Sequence, residues 1–491
     1  MAISALVPRE ATAQSSQWDA VGHVARLFVS GDYVPGISMT VVNRDSTLHT
    51  IHAGWADREA RRPVTDSTVF YIASTTKSFT ALAAALIAER GTWALSDPIT
   101  RYLPAGAFDA RLRPASITLE SLLSHTHGID NDGPVSFRAA FTGQIQRADM
   151  LRALASHPPA PTGREFSYSN IGYNVLSLAI DSLVGPWQDV LHDLVLEPAG
   201  LQMTSARLSD VPWDRIAMPY GPTGTGLERF PMLKSDRSMQ AAGGIVSTSG
   251  DLARWIRIQL GMGRLAGVPI FPSEVIVDTR QSRTGQVALG DEPAAGYALG
   301  WFLGELDGEA QVYHPGGFPG YAAHVSFLPE RGIGVAVVIN GGLATIVGSY
   351  LRDLAYRVAT SDSAGFAARL GELPEVLASL DRRRELLAAN DRKQAARPLE
   401  LALPLAAYTG TYQNSDFGTI RIAQWGHQLR FLMGDVDALV GGYDAARHRI
   451  RIEVHRGIGE VVSFEVADGV VSGLVFEGVR YDRGPSHRQQ N

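Results

Sequence analysis

The chain has 491 residues, 45% hydrophobic and 19% charged, with a net charge of −6 and no basic run, which argues against nucleic acid as a partner. It contains no cysteine, so disulfides, thiolate catalysis and zinc–cysteine sites are excluded. The apolar run Phe79 to Ala88 falls far short of the roughly 20 residues that span a bilayer, and no transmembrane segment is expected there.

Residues 1–16 read as a disordered tail or the remnant of an export signal. Ala11-Thr12-Ala13 resembles a signal-peptidase site, but Arg9 and Glu10 interrupt the apolar stretch that should precede it. A periplasmic or secreted location follows from the first reading and a cytoplasmic one from the second. Gln17 to Val29 reads as a helix. Gly36 to Val42 and Thr47 to Trp55 read as strands joined by a polar turn at Asn43-Arg44-Asp45.

A helix is predicted from Ser74 to Arg90, with Phe79, Leu82, Leu86 and Ile87 at helical spacing and Gly91 as its stop. Lys77 lies within it, one of only three lysines in the chain with Lys234 and Lys393. Arginine stays protonated at working pH and is a poor proton acceptor, so a lysine three residues after a serine has a chemical reading. At i and i+3 the two side chains share a helix face, and burial lowers a lysine's pKa. Ser74 is then a nucleophile at a helix start, where free N–H groups favour developing negative charge. The plain alternative is that Ser74 caps the helix.

The middle of the chain, to about Gly261, is mostly helical with long loops. It contains Tyr168-Ser169-Asn170. A tyrosine beside an ammonium is expected to have a depressed pKa and to relay a proton. An asparagine can hold the lysine and a substrate carbonyl together. Tyr412-Gln413-Asn414 has the same pattern, and spacing does not choose between them. Strand character returns at Gln311 to His314, Tyr321 to Leu328 and Gly332 to Asn340, with a helix over 348–360. Strands at both ends of residues 17–360 predict one sheet built from the two termini of a large domain.

His314-Pro315-Gly316-Gly317 sits at the end of the first of these strands. Its glycines let a strand edge approach a substrate, and the Gly317 N–H joins that of Ser74 as a candidate oxyanion hole. His-x-Gly also occurs at His52 and His455, and a lone histidine is most often structural. Residues 361–403, rich in Ala, Leu, Arg and Glu, read as a helical linker. From 404 to 485 the period becomes two, as in Leu429, Phe431 and Met433 or Ile450, Ile452 and Val454, which predicts a small antiparallel barrel of seven or eight strands. No Gly-x-Ser-x-Gly elbow, Walker A sequence or His-Glu-x-x-His occurs. His125 and His127 are read as ordinary hydrogen-bonded residues, and no metal or cofactor is expected.

The order Ser-x-x-Lys, Tyr-x-Asn, His-x-Gly resembles the class C β-lactamase and D-alanyl-D-alanine peptidase family of serine hydrolases. The words around the motifs match too: Tyr71 to Leu82, Leu122-Leu123-Ser124-His125-Thr126-His127-Gly128, Pro161 to Leu178, Glu197 to Thr204, Ala242-Gly243-Gly244 and Gly300-Trp301. The resemblance covers about residues 20 to 355. It implies an α/β (α+β) fold with an antiparallel sheet flanked by helices and a helical subdomain. The barrel resembles the lipocalin-like domain appended to some members.

By this resemblance Ser74 is acylated, Lys77 and Tyr168 share proton transfer, and Asn170 positions substrate. His314, Gly316 and Gly317 form the substrate-binding strand. His127 stands where the family has serine, and His314 where many β-lactamases carry lysine. A neutral imidazole suits a carboxylate-bearing β-lactam less well than a permanent cation. The expected activity is therefore esterase or D-amino-acid peptidase-like hydrolysis of a small-molecule ester, amide or peptide. The alternatives are a class C-type β-lactamase and, in another class, a non-catalytic penicillin-binding or ligand-sensing module. The barrel either covers the active-site mouth and narrows the substrate range or joins copies into a homo-oligomer.

Overall fold

The computed structural model describes residues 9–131, 134–143, 147–238, 240–290, 292–397, 400–455 and 458–484. The elements that frame the site begin with α1 (Arg9–Ser30), β1 (Gly36–Asn43), β2 (Thr47–Asp57), β3 (Arg62–Pro63), α2 (Thr76–Glu89), α3 (Asn170–Leu183) and α4 (Ser249–Leu260). They continue with β4 (Gly296–Tyr297), β5 (Phe302–Leu306), β6 (Glu309–Phe318), β7 (Tyr321–Leu328), β8 (Ile333–Ile339) and α5 (Ala344–Ala359). No helix among the described residues is long and apolar enough to cross a membrane.

One antiparallel sheet carries the first part of the chain, in the order β4-β5-β6-β7-β8-β1-β2-β3. N-terminal β1 lies between β2 and C-terminal β8, as strands at the two ends of the sequence predict. Both faces of the central strands are buried, so their residues alternate between two cores rather than between core and water. Ile37, Met39 and Val41 join Val335, Val337 and Ile339 under α1 and α5. On the opposite face Ala336 and Val338 belong to a larger core with Phe79 and Trp255. There the Phe79 ring of α2 stacks on the Trp255 ring of α4, with centroids 4.3 Å apart. These contacts fix α2, and with it Ser74 and Lys77, against the sheet.

The tail expected over residues 1–16 is in part helical. Residues 1–8 lie outside the described residues, but α1 begins at Arg9, and the Gln14 side chain donates to the Val358 carbonyl at 3.1 Å. The segment expected as a linker forms two helices, α6 (Ser363–Gly371) and α7 (Leu373–Ala395), and α7 packs on the domain rather than standing free. The reason is an apolar stripe at helical spacing, Leu373, Val376, Leu377, Leu380 and Leu387, which needs a partner surface. The Tyr33 hydroxyl donates to Asp381 at 2.7 Å, and Arg384 lies over the Tyr33 ring at 4.2 Å.

Eight strands then close into a barrel: β9 (Gly410–Asn414), β10 (Gly418–Trp425), β11 (Gln428–Met433), β12 (Val436–Asp444), β13 (Arg449–His455), β14 (Ile458–Ala467), β15 (Val470–Phe476) and β16 (Val479–Arg483). Closure through β9 and β16 leaves no free sheet edge. Inward residues such as Tyr412, Phe431, Phe464 and Tyr481 are buried and fill the interior. Residue 485, the end of the expected barrel segment, lies outside the described residues.

The packing of α7 is directly testable. Leu380 has no solvent exposure, whereas Leu386 is 63% exposed. Leu380→Ala is expected to cost about 2–5 kcal/mol in denaturant unfolding. Leu386→Ala should change stability by no more than about 0.5 kcal/mol. Equal effects would mean that α7 is a free linker after all.

Candidate active site

Ser74 sits on a 3-10 turn, Ala73–Thr75, that runs directly into α2. Ala73 has a φ of +46°, a left-handed conformation that costs a non-glycine residue energy and recurs where backbone is held for function. The turn is fastened to β6: the Thr75 hydroxyl donates to the His314 carbonyl at 3.2 Å. Gly316 allows the closeness, because a Cβ there would overlap the Ile72 carbonyl. At Gly317 the next Cβ would meet nothing within 4 Å, so this stretch of strand borders open space. Strand β5 pairs with β6 only as far as Phe302 and Tyr313, so on that side the edge from His314 to Phe318 is unpaired by β5.

Lys77 is fully buried and Ser74 only partly. The Lys77 Nζ lies 3.1 Å from Ser74 Oγ, 2.8 Å from Asn170 Oδ1 and 2.7 Å from the Ala242 carbonyl. No carboxylate among the described residues compensates its charge, and burial pushes its pKa well below the ordinary lysine value. The contacts suit a neutral amine. Its two N–H groups reach Asn170 and Ala242, and its lone pair is left for the Ser74 hydroxyl. The Ala242 carbonyl is placed by its neighbours, since Thr80 donates to the Ala241 carbonyl at 2.9 Å and Thr76 accepts from the Ile245 N–H at 3.1 Å. Asn170 opens α3, and its backbone N–H donates to Asn131 Oδ1 at 2.7 Å.

Tyr168 corrects an expectation. Its phenol is hydrogen-bonded to Ser74, but its pKa is raised, not depressed. Tyr168 keeps partial exposure as a residue, yet the packing around it strips solvent from the phenol and outweighs the Ser74 bond. Lys77 does not offset this burial. Lys77 Nζ stands over the face of the Tyr168 ring, 4.8 Å from its centroid, and not at the hydroxyl. The same amine is 5.4 Å from the Tyr173 ring.

His314 also differs from expectation. Its ring has no solvent exposure, and both nitrogens are engaged by the protein. Nδ1–H donates to the Pro315 carbonyl at 2.7 Å, and Nε2 accepts from the Tyr297 hydroxyl at 3.1 Å. Burial, with Lys77 nearby, pushes its pKa down to about 3. A neutral, enclosed ring is a positioning group, not a contact for a substrate carboxylate.

His125 was missed as a functional residue. It brackets Tyr168: its carbonyl accepts the Ser167 N–H at 2.9 Å and its Nδ1 accepts the Ser169 N–H at 3.1 Å. Its ring lies 4.4 Å from the Tyr168 ring and 4.7 Å from that of Tyr297. The sequence offered only a histidine in a glycine-ended loop. His127 acquires a role as well, since its Nδ1 accepts the Ile129 N–H at 2.9 Å and its ring fills the space beside Gly172 on α3. Asn131 carried no motif, and Ala242 stood out only within the family-like stretch Ala242-Gly243-Gly244, with no role for its carbonyl.

The look-alike motifs lie elsewhere. Tyr412 is buried in the barrel. His52 joins Ser38 at 3.0 Å and Asp66 at 2.7 Å, an imitation of a hydrolytic triad. Ser38 is only 2% exposed and also bonds Ser249 at 2.7 Å, so this chain of hydroxyls holds α4 to the sheet. A cavity of about 1150 Å3 is lined by Thr126, Arg164, Phe166 and Thr284, but not by Ser74, Lys77, Asn170 or Gly317.

Known proteins resemble the chain over this whole region. The beta-lactamase family model matches residues 24–353. "Penicillin-binding protein 4" of Amycolatopsis lactamdurans is 28% identical over 391 residues, 78% of this chain and 93% of that protein. The octameric penicillin-binding protein homologue from Pyrococcus abyssi has a TM-score of 0.57 at 22% identity, over 95% of this chain and 99% of that one. A class C beta-lactamase in complex with cefoxitin has a TM-score of 0.58 at 20% identity, over 71% of this chain and 99% of that one. At such identities the structural likeness is one of fold.

The buried histidines set an acid limit. His127 and His314 are both pushed down to about 3 in the folded state, chiefly by burial. An unfolded histidine titrates near ~6.5. Between these values the unfolded chain binds protons that the folded chain does not. Stability is therefore full above about pH 6.5 and declines towards pH 3, by up to about 1.4 kcal/mol per pH unit for each histidine. Urea unfolding across that range should show the decline, and His127→Gln should make it shallower. A flat profile would contradict the assignment.

Proposed function

The chain belongs to the beta-lactamase family, and on that premise we propose that it hydrolyses an ester or amide through an acyl intermediate on Ser74. The observation that carries this is the contact set of Lys77, a buried amine 3.1 Å from Ser74 Oγ with no counter-charge among the described residues. Neutral Lys77 takes the proton as Ser74 Oγ bonds to the carbonyl carbon. The Ser74 and Gly317 N–H groups receive the oxyanion. Collapse breaks the bond to the leaving group, and the phenol of Tyr168 supplies the proton that this group needs. Solvent water then carries a proton from the Lys77 ammonium to the phenolate, which restores the phenol and leaves the amine neutral again. Water repeats the sequence on the acyl-enzyme and releases the acid.

The raised pKa of Tyr168 supports its role as an acid, since the phenol stays protonated until a leaving group demands the proton. The substrate class we favour is a simple ester or a D-amino-acid peptide. A β-lactam is disfavoured because His314 presents no cation to its carboxylate.

Two variants test the reading. A fluorophosphonate should label the wild type, and Ser74→Ala should abolish the label. Tyr168→Phe should slow alkyl esters by about 10²–10⁴-fold. It should slow p-nitrophenyl esters much less, because that leaving group departs without a proton. Intact mass after p-nitrophenyl esters, penicillins and D-alanyl peptides identifies the acyl donor. A wild type that gains mass from none of them and takes no label would refute an acyl-enzyme. A long-lived penicillin adduct without ester turnover would instead mark a penicillin-binding sensor.

A further inference from the structure

Phe141 takes no part in the chemistry above, yet it stands at the edge of the cleft. Pro134–Phe137 form one α-turn, and Arg138–Thr142 continue it as a π-helix, a conformation found frequently at functional sites. This flap reaches both sides of the site. It follows Asn131, which accepts the Asn170 N–H. At its other end the Phe141 ring stacks on Phe318, the residue after Gly317, with centroids 5.7 Å apart and planes at 30°.

What holds the flap is the barrel. In an up-and-down barrel alternate hairpins lie at the same end. The turns after β9, β11 and β15 are three of that set, and all three touch the flap. Arg138 Nε donates to the Phe417 carbonyl at 2.8 Å, and its guanidinium lies 4.6 Å from the Phe417 ring and 5.6 Å from the Tyr481 ring. The Asp435 N–H donates to the Thr142 carbonyl at 2.8 Å. Phe476 meets Phe137 edge to face, centroids 5.1 Å apart. Arg138 is only 2% exposed, and Nη1 donates back to the flap's own Pro134 carbonyl at 2.9 Å. An arginine buried so fully needs such partners on both sides to repay its desolvation.

We propose that the barrel clamps this flap through Arg138, so that Phe141 and Phe318 form an apolar wall selecting substrates with a flat, apolar acyl group. The inference rests on the acyl-Ser74 reading and specifies its substrate. The direction follows from β6. Tyr168, which protonates the leaving group, stands at the His314 end, with ring centroids 6.2 Å apart. Phe141 stands at the Phe318 end, four residues or about 13 Å along the strand. The leaving group therefore departs towards His314, and the acyl group extends towards Phe141.

The test compares p-nitrophenyl phenylacetate with p-nitrophenyl acetate on the full chain. Phe141→Ala should lower the kcat/KM ratio of phenylacetate to acetate by about tenfold or more. Arg138→Met should move the ratio the same way and speed amide hydrogen exchange within 134–143, while Ser74 still takes the fluorophosphonate label. If Arg138→Met does not fold, Phe417→Ala removes the ring beneath the guanidinium in its place. Ratios within twofold of wild type in both variants, with the wild type active, overturn this inference alone. A wild type with neither label nor turnover overturns the acyl-enzyme reading and the inference together.

Discussion

Everything at this site depends on one uncompensated desolvation. Among the described residues Lys77 is buried without a carboxylate, and the groups around it are uncharged: Asn170, a backbone carbonyl, two phenol rings and histidines held neutral by their own burial. Each of these choices keeps the amine neutral, and a neutral amine is what a serine needs beside it. A single aspartate at hydrogen-bond distance would restore the charge and remove the base. The cost of burying the amine is met by the two large cores on either face of the sheet. Strained backbone at Ala73 and Gln240, with φ of +46° and +36°, flanks the segments that deliver Ser74 and the Ala242 carbonyl.

The same logic of enclosure extends outward. Tyr168 is gripped through both neighbouring amides by His125, His314 is closed by Tyr297, and His127 pins the loop below them. The active-site side of the domain is thus a stack of aromatic and imidazole rings whose polar atoms point at one another or at backbone. The barrel enters this arrangement from outside, through a flap that belongs to the hydrolase part. Barrel residues such as Phe476 share one continuous apolar core with that part, so the two are joined by packing and not by the chain alone.

Much of this was legible in the sequence, for definable reasons. Lysine scarcity singled out Lys77. The period of two located the barrel, and short runs of strand-forming residues located β1, β2, β7 and β8, of which β1 and β8 are buried on both faces and do not alternate. Gly316 and Gly317 announced a close backbone approach. Other features were not legible. A motif places an ammonium near a phenol but does not say whether it faces the hydroxyl or the ring, so the sign of the Tyr168 shift was misread. The Ala242 carbonyl has no side-chain signature. The partner of α7 was hidden because its stripe, read as linker, packs on elements more than 300 residues away, such as Tyr33. The flap is a short turn whose meaning lies in Phe417, Asp435 and Phe476, far along the chain.

The most direct measurement is the titration of Lys77 itself. The chain has only three lysines, so ¹³C-lysine labelling gives three Cε resonances, and Lys234→Arg and Lys393→Arg assign them. The account predicts that the Lys77 resonance titrates well below the ordinary lysine value of about 10.4. A Lys77 that holds its proton up to that value would contradict it, because the amine beside Ser74 would then never be a base at working pH.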